Sequence, residues 1–274
     1  MQECHPPPLR ANDKDFLKAH LLLVPPFRAM VRAVETRFYA ETGSIETPAL
    51  DLGCGDGLFA AVTFDQPFTA GIDPDPRSID AARKSGRYLS LFQGDAAAMP
   101  FADGEFASVV ANCSLEHIPD LENTLGEVHR VLRPGGRFIF SVPSHLFGEM
   151  LLGSTLLRTC RLWSAARMYE SYFNRISRHY HTDDPQTWLK RLHEHGFKGI
   201  FHSYYLNARA HRAFDIAHYI SIHYLLSRKL TGRWTALTPG FIITLYARWF
   251  RPFYEAQNGA PGPYLFFIAE RDER

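Results

Sequence analysis

The sequence predicts an α/β protein in which helices flank a mostly parallel sheet. Two observations lead to this fold class. Short apolar runs alternate with helix-like segments from residue 48 to about residue 142, a pattern typical of parallel strands joined by crossover helices. A last apolar run at 263–270 follows the preceding one after roughly fifty residues, far more than a simple connection needs, so a helical block is predicted between them.

Composition limits the classes of protein to which the chain can belong. Its 274 residues are 46% hydrophobic, enough to bury a sizeable core, and we treat residues 1–274 as one domain. The formal net charge is only +1, so the whole molecule has no field that would draw it to nucleic acid. No nucleic-acid partner is expected, since no RNA-binding module is recognised either.

The four cysteines are widely spaced and form no CxxC pair, which argues against a zinc cluster and a disulfide framework. The first ten residues lack the features of a secretory signal, and no apolar run is long enough for a membrane span. We therefore expect a cytoplasmic protein, with attachment to a membrane surface left open.

Five strands and one clear helix are predicted in the first half of the chain. Strands are expected at 48–54, 68–73, 106–113 and 137–142, with a weaker one at 88–95. A helix begins after Asp120, carries an apolar face from Leu121 to Leu132, and ends at the Pro-Gly-Gly sequence of 134–136. This region, 48–143, is interpreted as the cofactor-binding core, and 1–47 as an N-terminal helical segment.

The second half is less regular. Residues 144–181 show no clear periodicity and are interpreted as a lid or acceptor-side segment. A helix is predicted after Asp184, with Pro185 in its first turn and Gly196 at its end, followed by a strand at 197–206. Residues 207–257 are predicted to form a helical insertion of two or three helices before the last strand.

The most informative segment is DLGCGDG at 51–57, between a predicted strand and a predicted helix. Its three glycines allow a tight turn and a close approach of the backbone to a ligand. A dinucleotide site would space its glycines as GxGxxG, whereas these are spaced as GxGxG with acids at Asp51 and Asp56. Carboxylates at that turn would repel a diphosphate and suit a cationic ligand.

DLGCGDG resembles the first motif of the class I S-adenosylmethionine-dependent methyltransferases, and the similarity extends from Leu50 to Val142. The resemblance implies a Rossmann-like fold with a seven-stranded sheet and S-adenosylmethionine as the cofactor. It implies that Asp73, in AGIDPDP, binds the ribose hydroxyls, and that Asp95 and Ala96 lie beside the adenine. The segment 112–117 would pass under the methionine portion. The cofactor-binding residues so implied are Asp51, Gly53, Cys54, Gly55, Gly57, Asp73, Pro74, Asp95, Ala96, Asn112 and Cys113.

Methyl transfer from a sulfonium needs positioning more than side-chain chemistry, because the donor is already activated. If the acceptor must lose a proton, His117 is the first candidate base, although it is equally consistent with a structural role. Tyr180 is a second candidate, with its neighbours His179 and His181, and the alternative is a polar surface loop. No metal site is expected, since His193 and His195 lack the i, i+4 spacing of a helical zinc site.

Aromatic-rich segments at 146–180 and 207–257 point to a small, hydrophobic or lipid-like acceptor, unless those aromatics only form the core of the added helices. The second segment also carries an excess of basic residues, as interfacial helices do, so peripheral membrane contact is a further hypothesis. The sequence leaves the acceptor, the methylated atom and the oligomeric state undetermined.

Two other functions are compatible with parts of the sequence. An NAD-dependent oxidoreductase shares the strand, turn and helix order but needs the pyrophosphate turn that is missing here. A non-catalytic binding protein could keep the same scaffold, since a fold does not fix a function.

Overall fold

The computed structural model describes residues 15–42, 45–256 and 260–273. Its strands over these residues are β1 (Ala49–Leu52), β2 (Phe68–Asp73), β3 (Tyr88–Gln93), β4 (Phe106–Asn112), β5 (Leu132–Pro143), β6 (Phe197–Tyr205) and β7 (Tyr264–Arg271). They form one seven-stranded sheet in the order β3-β2-β1-β4-β5-β7-β6. All neighbours from β3 to β5 are parallel, whereas β7 runs antiparallel to both β5 and β6. The predicted mostly parallel α/β sheet is confirmed.

The helices over the same residues are α1 (Phe16–Leu21), α2 (Pro26–Glu41), α3 (Leu58–Thr63), α4 (Pro76–Ser85), α5 (Leu121–Val131), α6 (Leu152–Thr159), α7 (Trp163–Ser177), α8 (Pro185–Glu194), α9 (Ala208–Ile220), α10 (Ile222–Thr231) and α11 (Gly240–Glu255). A 3₁₀ turn covers Leu115–His117. The helices α9, α10 and α11 occupy the predicted insertion between β6 and β7. The part of that insertion at 257, and the proline-rich start of the chain, lie outside the described residues. Over the residues described, no helix has the length and apolar character that a membrane crossing requires.

Helices bury both faces of the sheet. Alternate residues of a strand point to opposite faces, and Val109 and Val110 of β4 accordingly belong to different apolar clusters. The cluster around Val109 packs against α5 and α8, whereas the cluster around Val110 includes residues of α1, α2, α9 and α11. Burial on both sides explains why β1 and β4 are apolar almost throughout their length.

One predicted helix end was wrong, and two helices were not predicted. The helix after Asp120 ends at Val131, because Leu132 turns to an extended conformation and pairs with Phe106 of β4. Residues 144–181 looked irregular but contain α6 and α7. Both helices start without a side-chain cap, and α7 ends on Arg178 in the left-handed conformation, a position that glycine usually occupies. The usual sequence signals for helix ends are therefore missing there.

Sheet order determines where a ligand can bind. The strand β1 lies between β2 and β4, so the chain connections on its two sides leave in opposite directions. Ligands of open α/β sheets bind at the carboxyl ends of the strands beside such a switch point. In this protein the segment 53–57 follows β1 at that place.

Candidate functional site

The turn after β1 is held against the neighbouring strand by its own backbone. The N–H groups of Gly53 and Cys54 both donate to the carbonyl oxygen of Ile72, at 2.8 and 3.1 Å. Gly53 has a φ of +74°, and a Cβ there would lie 2.4 Å from Cβ of Ser114. Both the conformation and the lack of space require glycine at this position.

The other two glycines have different surroundings. Gly55 has a φ of +54°, and its ideal Cβ position meets no described atom within 4 Å, so its backbone faces open space. Gly57 has a φ of +72°, and a Cβ there would lie 2.7 Å from Oγ of Ser85 in α4. Gly55 can therefore approach a ligand, whereas Gly57 allows the packing of the turn on α4.

Asp73 ends β2 beside the turn. Its Oδ2 accepts from the N–H of Gly55 at 3.0 Å, and its Oδ1 accepts from the N–H of Asp75 at 2.9 Å. Burial raises the pKa of Asp73, and these two hydrogen bonds act against that rise. Each oxygen keeps a lone pair for a further donor, as binding of a vicinal diol requires.

Asp51 is a second carboxyl group beneath the turn, and it is buried. The hydroxyl of Tyr88 donates to its Oδ2 at 2.7 Å. Burial raises the pKa of Asp51 to about 7, and the nearby charge of Asp73 adds to the rise, while Tyr88 and Arg32 oppose it. The charge state of Asp51 thus depends on pH close to neutrality.

A cavity of about 450 Å³, here called the motif cavity, opens above the turn. Ten of the eleven residues implied as cofactor-binding line it: Asp51, Gly53, Cys54, Gly55, Asp73, Pro74, Asp95, Ala96, Asn112 and Cys113. Gly57 is not among the described residues that line it. The structure therefore brings together residues from the ends of β1, β2, β3 and β4.

A second cavity of about 470 Å³, here called the aromatic cavity, lies next to the first. Its apolar lining includes Phe27, Phe147, Phe173, Phe214 and Tyr264. These residues come from α2, α7, α9, β7 and the segment after β5. The two cavities share five lining residues, namely Arg28, Arg32, Asn112, Cys113 and His117. A ligand in one cavity would therefore lie against the wall of the other.

Helix α2 supplies polar residues of the two cavities that the sequence analysis did not identify. Arg28, Arg32 and Glu35 follow each other at i, i+4 and i+7, so they lie on one face of a helix that is otherwise mostly apolar and buried. Burial lowers the pKa of Arg28 to about 10. One terminal nitrogen of Arg32 is buried without a hydrogen-bond partner among the described residues. A charged stripe on a buried helix is the sequence signal that could have identified them.

The carboxylate of Glu35 ties α2 to the end of β4. It accepts from Nδ2 of Asn112 at 2.9 Å, from Sγ of Cys113 at 3.1 Å and from the hydroxyl of Tyr205 at 2.5 Å. Cys113 has a φ of +46°, an unusual conformation for a residue with a side chain. Burial raises the pKa of Cys113 well above its usual range, so the thiol stays protonated and acts as a donor.

His117 lines both cavities. Its Nδ1 lies 3.0 Å from the carbonyl oxygen of Arg178, which can only accept, so Nδ1 carries the proton. Its Nε2 lies 3.8 Å from Oε1 of Glu116. Burial lowers the pKa of His117, which favours the neutral ring.

The other predicted polar residues occupy different positions. Tyr180 donates its backbone N–H to the carbonyl oxygen of Glu116, but its side chain is 62% exposed and lies outside the described lining of both cavities. His179 does line the aromatic cavity. His181 contacts the carbonyl oxygen of Ile118, and His195, the residue that follows α8, lies 3.6 Å from Glu122 of α5. The structure thus brings His117 and His179 to the site, and it does not bring Tyr180 there.

Comparison with known proteins identifies the core of the chain. Residues 50–140 match a family model described as a methyltransferase domain. An uncharacterized methyltransferase of Mycobacterium sp. strain JLS is 36% identical over 112 residues, which cover 39% of this chain and 43% of that protein. A demethylmenaquinone methyltransferase of Chlorobaculum parvum is 35% identical over 125 residues, which cover 44% and 52% of the two chains. This chain thus spans about half the length of the curated relatives it matches.

The same fold recurs in solved structures over nearly the full chain. A S-adenosylmethionine-dependent methyltransferase of Thermotoga maritima, described as a possible histamine N-methyltransferase, is similar with a TM-score of 0.53 over 94% of this chain and 93% of its own. At 15% identity this similarity concerns the fold. Taken with the family match, it confirms the prediction of a class I S-adenosylmethionine-dependent methyltransferase domain for residues 50–140.

Proposed function

We propose that this chain, whose residues 50–140 are a class I S-adenosylmethionine-dependent methyltransferase domain, transfers a methyl group to a small lipophilic acceptor. The observation that carries the proposal is the shared wall between the motif cavity and the aromatic cavity. A donor in the first and an acceptor in the second would meet at Asn112, Cys113 and His117. Holding the two in contact is most of what this reaction needs.

The motif cavity suits a cofactor that carries both a positively charged group and a carboxylate. Asp51 and Asp73 offer carboxyl groups to a cation and to ribose hydroxyls. Arg28 and Arg32 line the same cavity and complement a carboxylate such as that of the methionine portion. Arg32 is close enough to Asp51 for its charge to lower the pKa of that carboxyl group. A dinucleotide would bring a diphosphate to the acidic turn instead, so an NAD-dependent oxidoreductase is disfavoured.

The aromatic cavity favours an apolar acceptor. Phe147 and Phe173 are fully enclosed in the aromatic cluster around it, with ring centroids 5.9 Å apart. Such walls exclude water and contribute binding energy by burial of apolar surface. The relative from Chlorobaculum parvum is named for a lipid-like quinone substrate, which supports the same acceptor class for this chain. Of the two predicted catalytic residues, only His117 lines the site, so it is retained as the residue that meets the acceptor's polar group.

Contact with a membrane surface is part of the proposal. The helices α9 to α11 expose large apolar side chains, namely Ile216, Tyr219, Ile220, Ile222, Leu225, Leu226, Leu230, Phe241, Leu245 and Trp249. Basic residues lie among them, including Arg228, Lys229 and Arg248. An apolar surface with basic neighbours fits an anionic bilayer, from which a lipid-like acceptor would enter the neighbouring cavity. The proposed location is therefore the cytoplasmic face of a membrane.

Calorimetry with S-adenosylmethionine and S-adenosylhomocysteine tests the donor part. Binding of both is expected. In a titration with NADH, no change in NADH fluorescence on addition of the protein is expected. An acceptor screen, in which quinols, isoprenoid alcohols and polar amines are compared by methyl mass gain, tests the acceptor part. Methylation of polar amines alone would reject the lipophilic acceptor. Cofactor binding without methylation of any compound in a broad screen would favour a non-catalytic binding protein.

A further inference from the structure

Three side chains with metal-binding atoms converge in the wall of the aromatic cavity. They are Glu116, His117 and His179, and one ligand atom from each lies within 4.8 Å of the others. All three line the aromatic cavity, and His117 also lines the motif cavity. The ring centroids of the two histidines are 5.6 Å apart. The group therefore lies at the boundary where donor and acceptor would meet.

Glu116 provides an independent indication that something is bound there. It is only 2% exposed, and its Oε2 has no hydrogen-bond partner among the described residues. A buried carboxyl oxygen without a donor costs free energy, and nearly all such groups in proteins are satisfied by a partner. A cation in the cavity beside Glu116 would satisfy it.

Both histidines are oriented as metal ligands usually are. His117 uses Nδ1 to donate to the carbonyl oxygen of Arg178 at 3.0 Å, and Nδ1 of His179 lies 3.3 Å from Oδ1 of Asn174. Outer contacts of this kind fix the tautomer and the ring orientation of a ligating histidine. In each ring they leave Nε2 with a free lone pair.

We propose that Glu116, His117 and His179 bind one divalent metal ion of the zinc class, with an open coordination position toward the aromatic cavity. Two imidazoles and one carboxylate form a ligand set typical of zinc sites that keep a position for a substrate or water. Ligand atoms around a tetrahedral zinc ion lie about 3.3 Å apart. The three ligand atoms here lie within 4.8 Å of one another, so side-chain rotations that move each atom by about 1 Å would bring them to that distance. The expectation that the protein has no metal site was based on His193 and His195. This group gives no sequence signal, because only the fold brings position 179 close to position 116.

The substrate class follows from the open position. A metal there would bind the hydroxyl oxygen of the acceptor and lower its pKa, so that the proton passes to water without a side-chain base. The oxygen would then form its bond to the methyl carbon as the S–CH3 bond of the sulfonium breaks, which leaves the neutral thioether S-adenosylhomocysteine. This part rests on the proposed function and narrows it to lipophilic acceptors that carry a hydroxyl or phenol group. The binding of the metal itself is independent of the proposed function.

Titration of the full chain with Co²⁺, after treatment with a chelator, tests the site. We expect the chain to bind one Co²⁺ ion and to show a visible absorption band typical of cobalt with four or five ligands. Addition of Zn²⁺ is expected to displace the Co²⁺ and remove the band. His179→Ala and Glu116→Gln are each expected to weaken binding by at least about 100-fold, while His195→Ala, at a histidine just after α8 and outside the group, leaves it unchanged. Equal Co²⁺ affinity of His179→Ala and wild type, or no specific Co²⁺ binding by wild type, would overturn the proposal.

Two further measurements separate possible explanations. Urea unfolding of metal-free Glu116→Gln is expected to occur at the same or higher urea concentration than wild type, because a buried group that can carry a charge is replaced by a neutral amide of the same shape. A folded variant without metal affinity then excludes misfolding as the explanation. Addition of 4-tert-butylphenol, an apolar phenol that binds a metal through one oxygen, to the Co²⁺ form is expected to shift the visible band. An unchanged band with metal bound would reject the hydroxyl-bearing acceptor class. If wild type instead binds Co²⁺ but does not bind S-adenosylmethionine in calorimetry, only the proposed function is rejected.

Discussion

Oδ2 of Asp73 accepts the backbone N–H of Gly55 at 3.0 Å, which joins the end of β2 to the glycine turn after β1. The two elements that the sequence motif marks separately are therefore a single unit in the structure. The contact fixes the Asp73 side chain before any ligand arrives, so little side-chain entropy remains to be lost on binding.

Asp73→Ala is expected to weaken S-adenosylmethionine binding by about 1–3 kcal/mol, or roughly 5- to 150-fold, because a charged acceptor for the ribose hydroxyls is lost. Calorimetry measures the change. Asp80→Ala is the matched control, since Asp80 lies on α4 and pairs with Arg83 at the surface. Unchanged affinity in a folded Asp73 variant would show that this carboxylate does not hold the cofactor.

Gly53→Ala is expected to destabilise the protein by about 1–3 kcal/mol. The new Cβ would overlap Ser114 at 2.4 Å, and the φ of +74° is unfavourable for alanine. Gly126→Ala in α5 is the control, because no described atom lies within 4 Å of its Cβ position. It is expected to raise the free energy of unfolding by about 0.5–1 kcal/mol through helix propensity. Urea unfolding of both variants provides the comparison, and similar effects of the two would contradict the packing argument.

The pKa of Asp51 predicts how stability depends on pH. Burial raises this pKa to about 7 in the native state, from 3.8 in the unfolded chain. Between these pH values the native state keeps a proton that the unfolded state loses, so the free energy of unfolding falls as pH rises toward 7. Between pH 5 and pH 7.5 the Asp51 contribution is expected to fall by about 2–3 kcal/mol.

Asp51→Asn separates this contribution from all other titrations. Its amide oxygen can still accept from Tyr88, but it does not ionise. The stability of wild type relative to Asp51→Asn is therefore expected to be lower at pH 7.5 than at pH 5, as measured by urea unfolding. A difference that is the same at both pH values would mean that the native pKa of Asp51 is close to that of the unfolded chain.

Ile222→Glu is expected to reduce binding to vesicles that contain phosphatidylserine by about tenfold, because burial of its apolar side chain is lost and a negative charge is added. Leu89→Glu is a matched control on β3, since both side chains are 72% exposed. Sedimentation with vesicles at low salt measures both. An equal effect of the two substitutions would argue against membrane contact by α9 to α11.

The glycine turn and the acidic residues of the motif cavity could be located from the sequence, whereas Arg28 and Arg32 in its wall could not. A local motif encodes the former, because the turn after β1 and the acid at the end of β2 each need particular residues at fixed positions. Gly53 is required by its φ and by Ser114, and Asp73 by its place at the strand end. Such interactions join residues that are close in the sequence, such as Gly55 and Asp73, so a local sequence motif can reveal them.

The acceptor half could not be predicted in the same way. Glu35 contacts Tyr205, a residue 170 positions away, and His179 approaches His117 only after α7 has folded back. Helices α6 and α7 lack capping signals, so even the presence of the helices was missed. Long-range packing brings these residues together, and no periodic pattern records it.

Most of the residues that line the aromatic cavity lie outside the matched methyltransferase domain, which affects how homologous sequences should be compared. The match to the methyltransferase domain covers residues 50–140, whereas among the described residues that line the aromatic cavity only Asn112, Cys113, Glu116 and His117 fall within it. Evolution can thus alter the remaining walls while leaving the sulfonium-binding half intact. Orthologues with the same acceptor should be sought by agreement at positions such as Phe147, Phe173 and Phe214, and a shared glycine motif carries little information about that choice.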